Sequence, residues 1–204
     1  MVSLKHKFIF IHIPKTGGNS IEEHFGAWKD PRGDSSMLVG GNKEHFPLWR
    51  ILREVPSAID YFKFTFCRNP WDKAVSEWCY MQKHPMTIKA KSAFSRYGRS
   101  FESFVKNNLI SYANPKHSFA QHRLLDAGKY KSTVDFIGRF ENIQEDWNLI
   151  CDKLNIQRFN LPHKNKTSHK HYTEYYNDET REIVAEKYAK DIEYFGYKFG
   201  EDVK

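Results

Sequence analysis

The chain has 204 residues, 40% hydrophobic and 16% aromatic, with 32 Lys and Arg against 25 Asp and Glu for a net charge of +7. That length and apolar share fit one domain, residues 1–204, with a substantial core, and exclude a disordered chain. The positive balance favours anionic ligands without choosing between nucleic acid, nucleotide, acidic sugar and simple solubility.

The three cysteines, Cys67, Cys79 and Cys151, are scattered and form no Cys-x-x-Cys pair, which fits a reducing compartment better than a disulfide framework. The N-terminal apolar run is too short for a signal peptide or a membrane span, and no later segment approaches spanning length. The expectation is a soluble, cytoplasmic protein.

In chain order, residues 7–13 read as a buried strand, followed by a turn and a helix over 19–28. Residues 29–43 are rich in turn formers and read as a loop. A short helix is expected after Pro47, over LWRILRE. Residues 61–67, YFKFTFC, alternate as a strand does. Asn69-Pro70 is a helix start, a capping residue before a proline at the first helical position, and Trp71, Ala74, Val75, Trp78 and Cys79 then share one face. Residues 85–99 read as irregular and basic, with helices near 100–110 and 118–126. A strand over 134–139 precedes a helix carrying Ile143, Trp147, Ile150 and Leu154. The tract 157–171 reads as a polar basic loop. A last helix over 178–194 carries Val184, Tyr188, Ile192 and Phe195. Strands interleaved with helices predict an α/β fold with a parallel sheet.

Two stretches carry chemistry. In IHIPKTGGNS a strand runs into Lys15, Thr16, Gly17, Gly18, Asn19 and Ser20, then a helix. Glycines there let backbone N–H groups approach an anion, Lys15 adds a charge, and Thr16, Asn19 and Ser20 can donate hydrogen bonds. The lysine precedes the glycines, the reverse of the usual nucleotide P-loop. In FTFCRNPWDKAVSEW, Arg68 stands where a strand meets a helix, and Ser76 follows two turns later. Alone, this stretch reads as a surface arginine paired with Asp72 and an ordinary serine. Together, the two stretches suggest a ligand with phosphate at both ends.

The pair of motifs resembles the sulfotransferases that use 3′-phosphoadenosine 5′-phosphosulfate (PAPS), closest to the branch with bacterial enzymes and Golgi carbohydrate O-sulfotransferases of the heparan 2-O and chondroitin types. VDFIGRFENIQEDW (134–147) and YAKDIEYFGYKF (188–199) extend the similarity over nearly the whole chain. The resemblance implies a P-loop-NTPase-like three-layer fold with a central, mainly parallel sheet. It implies that the first loop grips the 5′-phosphosulfate, that Arg68 and Ser76 grip the 3′-phosphate, and that Lys15 offsets charge on the departing phosphate without a metal. Adenosine 3′,5′-bisphosphate would be the nucleotide product. In that branch a histidine between the motifs, often in a Gly-His-x-Pro setting, is the general base. The matching stretch GGNKEHFPLW nominates His45, although Glu44 replaces the glycine and would raise the imidazole's pKa if it faced the ring. His12, on the strand before the loop, reads as structural.

The histidines of LPHKNKTSHKHY (161–172), His163, His169 and His171, lie among lysines with no carboxylate or cysteine, so the tract reads as a basic loop near the nucleotide or acceptor rather than a metal site. Asn165, Thr167 and Ser168 loosely match a segment of the family. The partners expected are the nucleotide donor and a hydroxyl-bearing acceptor, a glycan or small molecule, with no nucleic acid and no membrane span. A kinase using ATP and magnesium on the same fold, and a basic nucleic-acid-binding protein, are the rival readings. The first needs an acidic metal ligand, and the second would show steep salt dependence.

Overall fold

The computed structural model describes residues 1–25, 37–38, 45–83, 94–96, 98–108, 120–162 and 170–201. Most of the 29–43 and 85–99 segments, Glu44 and residues 163–169 of the basic tract lie outside them. The elements are β1 (Val2–Ser3), β2 (Phe8–Ile11), α1 (Gly18–His24), β3 (Met37–Leu38), α2 (Leu48–Glu54), β4 (Phe62–Cys67), α3 (Pro70–Lys83), α4 (Phe101–Lys106), β5 (Phe136–Arg139), α5 (Ile143–Lys153), α6 (Asp178–Lys187) and α7 (Ala189–Phe195). The chain divides into two compact units, one of Met1–Cys67 with Gln121–Lys164 and one of Arg68–Ala120 with Asn165–Asp202.

The first unit holds the whole sheet, in the order β3-β1-β2-β4-β5. β2, β4 and β5 run parallel, with Phe8 beside Phe62 and Phe64 beside Phe136. The two-residue strands β1 and β3 add an antiparallel edge, Val2 pairing with Ile9 and with Leu38. Met37–Leu38 therefore interrupts the loop expected over 29–43. Two residues with no flanking alternation give no strand signal in sequence.

One sheet face presents Phe8, Phe10, Phe64 and Phe66, which pack with Ile21 of α1 and with Trp147, Ile150 and Cys151 of α5. Phe64 lies 5.4 Å from Phe8 and 5.1 Å from Phe10 between ring centroids. Each fully buried phenylalanine contributes about 1.5–3 kcal/mol through the water it leaves. On the other face Ile9, Ile11, Lys63 and Thr65 are buried too. The alternation of YFKFTFC thus marks a strand covered on both sides, as parallel sheets usually are. Its polar members are satisfied locally. The Thr65 hydroxyl donates to the Ile11 carbonyl at 2.7 Å, and Lys63 Nζ donates to the Tyr61 carbonyl at 2.8 Å.

The second unit is helical. Asn69 caps α3, its side-chain oxygen accepting from Trp71 N at 3.0 Å, so the Asn-Pro start is where the sequence puts it. More of α3 is buried than its apolar stripe, since Lys73, Ser76 and Glu77 are enclosed as well. The ammonium of Lys73 lies 5.6 Å from the Tyr188 ring. Burial lowers the Lys73 pKa, opposed by the nearby Glu77 and Asp191 carboxylates.

Two expected helices differ in detail. Gln121–Leu125, within the expected 118–126 helix, is a 3₁₀ segment. The single helix expected over 178–194 is two, α6 and α7, interrupted at Tyr188 with φ −114° and ψ 23°. Val184, Tyr188 and Phe195 are buried as expected. Ile192 is only half-buried, and Asp191, at i+7 from Val184 and fully buried, joins the stripe, where its carboxylate acts on Lys73. Among the described residues no helix is long and apolar enough to cross a membrane.

Candidate functional site

β2 delivers the chain into the glycine loop, and the loop's shape follows from residues with unusual backbone. Lys15 has φ +68° and Gly17 has φ +80°, both left-handed. For lysine that conformation costs about 1–2 kcal/mol, and such residues persist where the surroundings fix them. Left-handed residues alternating with ordinary ones turn successive N–H groups toward one point, the backbone form of an anion nest. Gly17 is required twice over, by its φ and because an added Cβ would come within 2.5 Å of Ile143 Cδ1. Gly18 has its own reason: an added Cβ would lie 2.3 Å from Cδ2 of the His12 ring.

Two of the loop's side chains, Thr16 and Ser20, bond to backbone carbonyls. The Thr16 hydroxyl is buried and donates to the Ile13 carbonyl at 2.8 Å. The Ser20 hydroxyl donates to the Pro162 carbonyl at 2.6 Å. Asn19 is exposed, and Lys15 is half-buried. Thr16 and Ser20 therefore brace the turn, and the Ser20 N–H donates to the Gly17 carbonyl at 3.0 Å, while the Gly18 and Asn19 N–H groups that open α1 have no intrahelical acceptor. α1 has only seven residues, so its dipole adds little, and the local N–H groups with Lys15 carry the positive potential.

His45 enters the same unit from the segment before α2. Its Nδ1 lies 2.9 Å from the His12 backbone carbonyl. A carbonyl only accepts, so Nδ1 carries the proton and donates, leaving the lone pair of the neutral ring on Nε2. The His45 and His12 rings meet edge to face, with centroids 4.5 Å apart at 80°. His12 is itself buried, its Nδ1 2.9 Å from Glu22 Oε1, and Glu22 is 1% exposed. Glu22 was not singled out from sequence. The available signal is its place between Ile21 and Phe25 in the inward stripe of α1, at helical spacing from Gly18.

In the other unit Arg68 is 6% exposed and follows β4 directly. Its Nε donates to Asp72 Oδ2 at 2.8 Å, the ion pair that spacing alone allowed. Ser76 is buried one turn beyond Asp72 on α3. Asn69 joins this unit's packing through the Tyr172 hydroxyl at 3.3 Å. A guanidinium fixed by a carboxylate keeps its remaining N–H donors directed, which suits a phosphate. In the basic tract only its ends are described, and there His171 Nδ1 meets the Thr173 hydroxyl at 2.7 Å.

A family model described as the sulfotransferase family matches residues 1–198. A protein of Archaeoglobus fulgidus, named only "Uncharacterized protein", is 30% identical over 119 residues, covering 54% of this chain and 82% of its own length. With a match that takes in the glycine loop, His45 and the Arg68 helix alike, this chain belongs to the sulfotransferase family, whose chemistry is sulfuryl transfer.

Proposed function

We propose that the protein transfers a sulfuryl group from PAPS to an acceptor hydroxyl on a carbohydrate or small metabolite, as the bacterial and Golgi O-sulfotransferases do. One observation supports this reading above the others. His45 donates its Nδ1 proton to the His12 carbonyl, the tautomer in which Nε2 is a base. His45 Nε2 takes the acceptor proton as the acceptor oxygen attacks sulfur in line. The sulfur–oxygen bond to the 5′-phosphate breaks, and Lys15 with the N–H groups of Gly17, Gly18 and Asn19 offsets the charge left on the departing phosphate. Thr16 and Ser20 serve by holding the loop. Arg68 and Ser76 take the 3′-phosphate.

The products are a sulfate ester and adenosine 3′,5′-bisphosphate. The transferred group carries less charge than a γ-phosphoryl group, so the lysine suffices where a kinase needs magnesium. We place residues 1–204 in one functional domain acting in the cytoplasm. The test is release of adenosine 3′,5′-bisphosphate from PAPS over a panel of hydroxyl acceptors, with chelator present. Ester-forming turnover that survives the chelator is expected. Transfer from ATP and magnesium in its place would overturn the proposal.

A further inference from the structure

Glu22 is a buried carboxylate whose charge acts on the buried N-terminal ammonium of Met1. It is 1% exposed, and its one hydrogen bond among the described residues is to His12 Nδ1. Its second oxygen, Oε2, is buried without a hydrogen-bond partner among the described residues. A half-satisfied buried carboxylate is costlier than an apolar residue of its size, so it is poor stabilising design. Departures of that kind concentrate where function needs them.

The surroundings show what the pair touches. The His12 ring stacks on Phe10 at 5.6 Å, fills the space a side chain at Gly18 would need, and meets the His45 ring edge to face. The His12 carbonyl accepts the His45 Nδ1 proton. One imidazole therefore walls the start of α1 and backs the histidine that arrives from the segment before α2. Beside that packing, the ring's one hydrogen bond among the described residues is the one its Nδ1 donates to Glu22 Oε1.

Resting on the assignment of His45 as the base, we propose that Glu22 and His12 are positioning residues. Glu22 fixes the His12 ring, and His12 in turn holds His45 in the Nδ1–H tautomer that leaves Nε2 basic. Tautomer control of this kind matters because an imidazole with its proton on the wrong nitrogen cannot accept one there, and turnover then falls by orders of magnitude. The His12 carbonyl is backbone and survives any substitution. What Glu22 supplies is the rigidity of the ring, and thus the angle at which His45 meets that carbonyl.

The experiment is long-range proton–nitrogen correlation of imidazole-labelled full-length protein, paired with calorimetric titration of adenosine 3′,5′-bisphosphate. Wild type should show His45 as the Nδ1–H tautomer. Glu22→Leu keeps volume but removes the acceptor, and should convert His45 to a mixture of tautomers with nucleotide affinity unchanged within about twofold. Glu22→Gln retains an acceptor oxygen for His12 and should restore the wild-type pattern. A wild-type His45 protonated on Nε2 overturns the proposal, even if Glu22→Leu does not fold. So does a Glu22→Leu spectrum identical to wild type. Failure of wild type to bind the bisphosphate, with the tautomers as expected, instead strikes the donor assignment and leaves the Glu22–His12–His45 arrangement standing.

Discussion

The glycine loop and the Arg68 helix, the two proposed anion sites, are built from opposite materials. In the loop the side-chain hydroxyls of Thr16 and Ser20 are spent on backbone carbonyls, so the proposed anion recognition is left to main-chain N–H groups and one lysine. At the Arg68 helix the proposed recognising group is a buried side chain, oriented by the Asp72 carboxylate. A backbone cradle tolerates side-chain truncation and fails when its conformation changes. A side-chain site behaves the other way round. The contrast assigns shape to the first region and charge to the second.

The largest expected effect isolates the chemistry from both regions. His45→Ala should lower turnover by about 10²–10⁴-fold, the range a general base supplies, while calorimetric affinity for the bisphosphate stays near wild type. Next comes the side-chain site. Arg68→Ala should weaken bisphosphate binding by about tenfold to a hundredfold, since hydrogen bonds to charged groups contribute about 1.5–3 kcal/mol. An unchanged affinity would remove Arg68 from the nucleotide site and collapse the contrast.

Thr16→Ala sharpens it. The hydroxyl's bond to Ile13 is structural, so the loss should appear as about 1 kcal/mol of stability in urea unfolding, with bisphosphate affinity nearly constant. A tenfold affinity loss at unchanged stability would show that the hydroxyl acts on the ligand.

The smallest effect concerns His24, the last residue of α1. Its ring stacks on Phe159 at 3.3 Å, and partial burial lowers its pKa, with the His6 charge adding to the shift. A folded pKa below the unfolded value of 6.5 means the contribution to stability is present above that value and lost as pH falls through the folded pKa. Urea midpoints should therefore drop between about pH 7 and about pH 5, and His24→Phe should remove part of the drop.

Much of this was legible in sequence because it rests on local rules. The strand-glycine-helix order of residues 8–24, the Asn69-Pro70 start of α3 and the short helix after Pro47 each follow from neighbours in the chain. The candidate site residues could be named in the same way, and Arg68 with Asp72 is a one-turn pair. What escaped depends on distant partners. Glu22 reads as an ordinary helix acid until His12 is seen beside it. Asp191 reads as an ordinary helix acid until Lys73, whose charge it acts on, is seen beside it. The edge strand Met37–Leu38 exists by pairing with Val2–Ser3 and has no pattern of its own. The roles of Thr16 and Ser20 were assigned by chemistry, but which acceptor each hydroxyl takes is decided by the fold.

The measurement that bears most directly on the central claim is calorimetric titration of the wild-type chain with adenosine 3′,5′-bisphosphate, against ADP and against ATP with magnesium. The account predicts tight binding of the bisphosphate, undiminished by chelator, and weak binding of ADP, which lacks the 3′-phosphate. Indifference to the 3′-phosphate, or a preference for ATP with magnesium, would contradict it.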